Sequence, residues 1–296
     1  MSDQKKNVII TCADARAGDF LADHWLRSLV KNVDLSETDI VILDYGLTEA
    51  MKERIRARSA AHIVPCVKNG HLVVLRFRDM GALLKGASYE QVLSCDGGDI
   101  IFQSDISAVF REHPGEFRAV SEGYLTPFQD TLTRRTQRVV DAALDGRIFR
   151  ALYGQPAING GFILAPRASM IELCDFIHAH VTDQGAFGPD QILIGYFFYL
   201  HGFHSLDPRY NFILYTSQDS FRIVGGRFLD SQSRIIPVVH NAGRFAWFRV
   251  IDDFGFGPDR NRLKKGLYYL VRAAILILHA TGRRFFLARL TARVEE

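Results

Sequence analysis

Three short apolar runs in the first third of the chain each hand over to an aspartate. Val8-Ile9-Ile10-Thr11-Cys12 leads to Asp14, Ile40-Val41-Ile42-Leu43 to Asp44, and Val92-Leu93-Ser94-Cys95 to Asp96. Runs this short, apolar without alternation, are the signature of strands covered on both faces. Between them lie apolar residues at helical spacing (Phe20, Leu21, Trp25, Leu29) and a segment through Arg58 that Thr48 is placed to cap. His62-Ile63-Val64-Pro65 and Leu72-Val73-Val74-Leu75 read as further strands, and helical patterns surround residues 80–84 and 131–144. The alternation predicts an α/β fold, a parallel sheet flanked by helices. Ligands of such sheets sit beyond the carboxyl ends of the strands, so Asp14, Asp44 and the turn after Cys95 are predicted to share one rim.

Further along, a polar, aromatic loop spans residues 122–130. Gly160-Gly161 opens a strand that continues through Leu164, where a close approach and a bulge are both open readings. Helices are read over residues 169–180 and from Pro189, the second with Asp190 at its start and Leu193, Ile194, Phe197 and Phe198 on its apolar face. Length allows a large core: 296 residues and 33.4 kDa, with 48% hydrophobic and 23% charged residues. A net charge of +3 is too small to argue for a nucleic-acid partner. Cys12, Cys66, Cys95 and Cys174 show neither a CxxC pair nor zinc spacing and read as buried free thiols of a reducing compartment. The start, M-S-D-Q-K-K, has no long apolar stretch, so a cytoplasmic protein without a signal peptide is expected.

The turn Asp96-Gly97-Gly98-Asp99 is the sharpest chemical signal. Glycines permit backbone conformations closed to other residues, letting two carboxylates face one point. Such a pair repels unless a cation lies between, and hard oxygen ligands select Mg²⁺ or Mn²⁺. An ordinary strand-ending turn with solvated aspartates is the alternative. His240, after two valines, is either a strand-end histidine or a ligand; Asp190 either caps its helix or faces a site; Asp44 either serves its turn or a ligand.

Taken in order, these pieces resemble the GT-A glycosyltransferases, in particular glycosyltransferase family 8, across residues 7–250. The segment Thr11, Ala13, Asp14 is similar to the part that family uses to hold the nucleotide base, and Leu43-Asp44-Tyr45-Gly46-Leu47-Thr48 to its D-x-G-L-S turn. Arg76 and Arg78 fall where the family carries an arginine near the donor sugar. Asn159-Gly160-Gly161 resembles its N-A-G, Asp190-Gln191 its D-Q, Tyr210-Asn211 its Y-N, and His240-Asn241-Ala242-Gly243 its late H-Y-x-G. In place of the family's acid-x-acid motif, counting back from Asp105 puts the second acid on Asp99 and the first on Gly97, with Asp96 one position earlier as the replacement. The family's diphosphate lysine falls near Ala246, where Arg244 is the nearest substitute.

The resemblance implies a GT-A, Rossmann-like, mixed but mostly parallel sheet over residues 1–258. It implies Mn²⁺ or Mg²⁺ held by Asp96, Asp99 and His240. The donor, a nucleotide-diphosphate sugar such as a UDP-sugar, would contact Thr11, Ala13, Asp14, Asp44, Arg78, Asp96, Gly97, Asn159, Gly160, Gly161, Gly243 and Arg244. Asp190 and Gln191 would sit at the anomeric carbon of a retaining transfer to a saccharide or lipid-linked saccharide. A nucleotidyltransferase and a degenerate sugar-nucleotide binder are the competing readings. Residues 259–296 form a basic, apolar helical tail (Leu267, Leu270, Val271, Ala274, Ile275, Leu278 beside Lys264, Lys265, Arg272, Arg283 and Arg284), suited to an anionic membrane surface or to packing on the domain.

Overall fold

The computed structural model describes residues 5–122, 140–152, 155–243, 249–277 and 280. Four strands lie side by side and parallel: β3 (His62–Pro65), β2 (Thr38–Asp44), β1 (Asn7–Ala13) and β4 (Gln91–Cys95), with Ile9 opposite both Ile40 and Leu93. Their side chains alternate into two cores. Val8, Ile10, Val41, Leu43 and Val92 enter one; Ile9, Ile40, Ile42, Leu93 and Cys95 enter the other. Burial on both faces is what makes the runs continuously apolar. Beyond β4 the order continues through β7 (Ile158–Pro166) and β6 (Arg118–Ser121) to β8 (His204–Ser205), completing a seven-stranded sheet β3-β2-β1-β4-β7-β6-β8. β7 is antiparallel to both neighbours, so the rest share one direction and the sheet is mixed but mostly parallel.

One face is covered by α1 (residues 18–32, with a π-helical turn at Leu21–Trp25) and α2 (Glu49–Arg56). Thr48 caps α2, its Oγ1 accepting from Met51 N at 3.3 Å. The other face carries α3 (Leu72–Lys85), α4 (Asp145–Leu152), α5 (Arg167–His180) and α6 (Pro189–His201). The strand expected at residues 72–75 is instead the first turn of α3. His71 Nδ1 accepts from Val73 N, and the buried Val74, Phe77, Met80, Gly81 and Leu84 trace a helical stripe. Four apolar residues cannot reveal their period, which is why the run misreads. Of the helical pattern over 131–144, residues 131–139 lie outside the described residues, as does the loop after Glu122; Ala142–Leu144 is 3₁₀. All four cysteines are free thiols; Cys95 and Cys174 are buried and Cys12 and Cys66 half-buried.

A smaller sheet sets the site. β12 (Val238–His240) lies between β5 (Ile100–Phe102), antiparallel to it, and β9 (Phe212–Ile213), parallel to it. Beside it pack the hairpin β10 (Phe221–Val224) with β11 (Arg227–Asp230), and the pair β13 (Ile251–Asp252) with β14 (Arg262–Leu263). The chain is helical again over residues 265–277, where Tyr268, Val271 and Ile275 are buried. The segment read as a tail from residue 259 therefore begins inside this packing. No helix among the described residues is long and apolar enough to cross a membrane.

Candidate functional site

The two sheets meet at the Asp96–Asp99 turn. Asp96 follows β4, and its N–H donates to the Gly161 carbonyl of β7 at 3.0 Å. Asp99 precedes Ile100, which pairs with His240 across the β5–β12 ladder, and Asn241 N extends that ladder to the Asp99 carbonyl at 2.9 Å. Strand register thus brings together residues about 140 positions apart. One ligand atom each from Asp96, Asp99 and His240 lies within 4.8 Å of the others. His240 Nε2 is 3.2 Å from Asp99 Oδ1 and 3.7 Å from Asp96 Oδ2.

The imidazole is fixed from behind. His240 Nδ1 is 2.9 Å from Asn211 Oδ1; Asn211 Nδ2 donates to Asn159 Oδ1 (3.1 Å), and Asn159 Nδ2 to Glu122 Oε1 (3.2 Å). Since Asn211 Oδ1 can only accept, Nδ1 carries a proton and Nε2 faces the carboxylates. Burial alone would depress the His240 pKa, but Asp99 and Asp96 outweigh it and hold the imidazole above its ordinary value. Asp99 is shifted the opposite way: burial would raise it, and His240, Arg249 and Arg76 together hold it below the usual range. The neighbouring cations are Arg249, with Nη2 3.1 Å from Asp99 Oδ2, and the buried Arg76, with Nη1 2.5 Å from Asp96 Oδ1.

Arg76 also joins Asp190 to the cluster. Its Nη2 is 3.5 Å from Asp190 Oδ2 and donates to the Gly160 carbonyl at 3.2 Å. Asp190 is buried at the start of α6, and burial pushes its pKa up to about 6 against the opposing pull of Arg76. Gln191 is turned toward β7, with Oε1 accepting from Gly160 N at 3.0 Å and Nε2 donating to the Ile158 carbonyl. Both ends of its amide thus serve backbone groups of the strand.

The glycines matter through space rather than through dihedral angle. Neither Gly97 nor Gly98 has a positive φ, so the backbone freedom expected of them is not what the turn uses. A Cβ on Gly97 would lie 2.6 Å from Thr11 Oγ1 and 2.9 Å from Leu21 Cδ1, while one on Gly98 meets only Ala17 at 3.5 Å. On Gly160 it would strike Ile194 Cδ1 at 2.7 Å. On Gly161 it would sit 2.5 Å from His240 Cε1 and 2.9 Å from Asp96 Oδ2, inside the cluster. Both open readings of the Gly160-Gly161 pair hold: the glycines permit this close approach, and the β6–β7 register shifts between the Ala119–Ile163 and Ser121–Ile158 pairs that flank them.

The remaining residues are distributed along the rim. Asp14 and Asp44 do end β1 and β2 beside one another, with Ala13 and Asp44 in register. Asp14 accepts from Arg16 N and pairs with Lys68 at 2.7 Å; burial would raise its pKa and these partners overcome that, leaving it lowered. Asp44 Oδ1 accepts from Gly46 N and Leu47 N, and its Oδ2 is 3.2 Å from Lys52 Nζ. The Thr11 hydroxyl is buried with no hydrogen-bond partner among the described residues. Arg78 is not drawn into the acid cluster: its guanidinium is held by Asp79, Asn69 Oδ1 and the Val67 carbonyl, and Arg76 occupies the place expected of it. Gly243, at φ 146°, follows the cluster, and Arg244 lies outside the described residues. Glu122 opens the polar loop singled out in the sequence, whereas Arg249 and Lys68 left no trace there; a lone charge next to a strand end carries no local signal of a partner 54 to 150 residues away. A scan against protein-family models finds no match for the chain, and a search of curated proteins finds none either.

Proposed function

We propose that this chain is a metal-dependent glycosyltransferase of GT-A architecture, moving a sugar from a nucleotide-diphosphate donor such as a UDP-sugar to a saccharide or lipid-linked saccharide, with retention. The observation that carries the reading is the convergence of Asp96, Asp99 and His240, widely separated in sequence, on one point with the imidazole oriented by Asn211. Two carboxylates and one neutral imidazole nitrogen form a donor set for Mn²⁺, and more loosely for Mg²⁺. The missing Cβ of Gly161 leaves the space that such a centre needs. A divalent cation held there supplies Lewis-acid charge to a departing diphosphate. The mixed sheet with the acidic turn and Asp14 and Asp44 on one rim fits a nucleotide laid across the strand ends. Arg76 is the fixed cation of the site, neutralising Asp96 and Asp190 from below. Gln191 positions β7, and Asp190 is the carboxylate left to face a sugar.

Donor hydrolysis measured with Mn²⁺ across a panel of nucleotide sugars tests this. The expected result is turnover of at least one donor, abolished by EDTA and by Asp99→Ala or His240→Ala in folded protein. Binding of donors without turnover overturns the enzymatic part. Transfer of a nucleotidyl group, or turnover indifferent to EDTA, overturns the reaction class.

A further inference from the structure

The geometry points to a second metal site, made by His113, Glu116 and His204 and suited to a borderline divalent ion such as Zn²⁺. One ligand atom from each lies within 4.8 Å of the others. The two imidazoles are stacked, with ring centroids 3.7 Å apart and planes 16° apart, and His113 Nδ1 is 3.0 Å from Glu116 Oε1. Two ligand atoms each about 2.0–2.1 Å from a tetrahedral centre are about 3.3 Å apart, so the Nδ1–Oε1 spacing needs little adjustment, while one of the stacked rings must turn for both in-plane lone pairs to meet one ion.

The site is built rather than incidental. His113 has φ 44°, a left-handed conformation unusual for a non-glycine residue, closed by Glu116 N donating to its carbonyl at 3.0 Å. Beneath the turn, the fully buried Arg118 donates to the carbonyls of Val109, Glu112 and Glu116, and Gln91 Nε2 donates to that of Pro114 at 3.0 Å. Side chains of the main sheet thus fix the loop bearing two of the ligands. His204 enters from edge strand β8, whose N–H donates to the Phe117 carbonyl at 2.7 Å in register with Arg118. β6 runs in the direction of β4 with Arg118 level with Leu93 through Leu164, and the turn before it meets Gln91 at the start of β4, whereas the acidic turn follows the end of β4. The second site is therefore separate from the first.

Its chemistry differs as well. Two nitrogens and one oxygen favour Zn²⁺, Ni²⁺ or Cu²⁺ over Mn²⁺, whereas the acidic turn offers the reverse ratio. Three protein ligands leave a fourth position open to solvent. A bound ion would fasten the two-residue β8 to the 113–116 turn, a structural role that does not depend on the reaction at the other end.

The test uses untagged full-length protein stripped with EDTA, titrated with Zn²⁺ against a chromophoric indicator, in wild type and in Asp99→Ala. In the Asp99→Ala background, one Zn²⁺ equivalent is expected to remain. It should then be lost, or weakened by at least about ten-fold, on adding His113→Ala or His204→Ala. Glu116→Gln, which keeps the turn and its size, should weaken it too and so guards against local unfolding of β8. Added Zn²⁺ should raise the thermal midpoint of Asp99→Ala protein and leave that of the histidine variants unmoved. Zn²⁺ binding unchanged by all three substitutions, or absent from Asp99→Ala protein, overturns the assignment.

Discussion

Gly161 shows how much of the site rests on an absent atom. A Cβ there would lie 2.5 Å from His240 Cε1, 2.8 Å from Asn159 Oδ1 and 2.9 Å from Asp96 Oδ2. Gly161→Ala must push a ligand or its support aside, at a cost of about 1–3 kcal/mol for overpacking. Mn²⁺ affinity, read by electron paramagnetic resonance of the free ion, should fall at least about ten-fold, and an unchanged affinity would place the ion elsewhere. Asp190 makes a second point testable. Folding lifts its pKa from 3.8 to about 6, mainly by burial, a difference equivalent to about 3 kcal/mol. For a carboxyl raised in the folded state, its contribution to stability is fully present below about 3.8 and is lost as pH rises through about 6. Urea unfolding of wild type should therefore lose stability relative to Asp190→Asn between pH 4 and 7. The lost Arg76 partner adds an offset but no slope, since the guanidinium stays charged. Parallel pH profiles for the two proteins would contradict the burial argument.

Between elements, Gln191 ties α6 to β7 by serving the Gly160 N–H and the Ile158 carbonyl. Gln191→Ala leaves both buried groups without partners, which at about 1–3 kcal/mol each costs about 2–6 kcal/mol in urea unfolding. Unchanged stability with turnover abolished would return Gln191 to the chemistry and refute its positioning role. The rim aspartates were legible because β1, β2 and β4 are doubly buried and parallel, so an apolar run followed by Asp reports both the strand and its end. The smaller sheet was not legible as a sheet: β5, β9 and β12 are two or three residues long, too short for any period to show, and β5 meets β12 only across more than 100 residues. Only the order of short motifs hinted that Asp99 and His240 meet. Read as a strand, residues 72–75 hide the helical phase that separates Arg76 from Arg78. With the helix begun at Leu72, Arg76 shares the buried stripe with Met80, one turn on, and Arg78 faces away.

For the molecule as a whole, the open question is what its C-terminal helix meets. Tyr268, Val271 and Ile275 are buried, and Arg272 donates to the Ser217 carbonyl at 2.7 Å. Packing on the domain and an outward apolar surface are thus not alternatives, because the helix has two faces. Its other side leaves Tyr269, Leu270, Leu276 and Ile277 exposed at 66, 68, 48 and 62%. Of the basic residues on this segment, Lys264 is paired with Asp252 and Arg272 is engaged, so the positive charge of the region comes from Lys265 and from Arg283, Arg284, Arg289 and Arg293 further along the sequence. Exposed aromatic and aliphatic side chains followed by arginines suit an anionic bilayer surface, where apolar insertion and charge attraction add. Deleting everything after Leu263 would also remove Tyr268 from its core, confusing detachment with unfolding. Leu270→Glu combined with Ile277→Glu leaves the buried side untouched. Co-sedimentation with phosphatidylglycerol vesicles at about 0.1 M salt should then drop at least about ten-fold while the thermal midpoint holds, and wild-type binding should weaken as salt rises. Undiminished binding by the double variant would mean that the outward face of this helix meets something other than lipid.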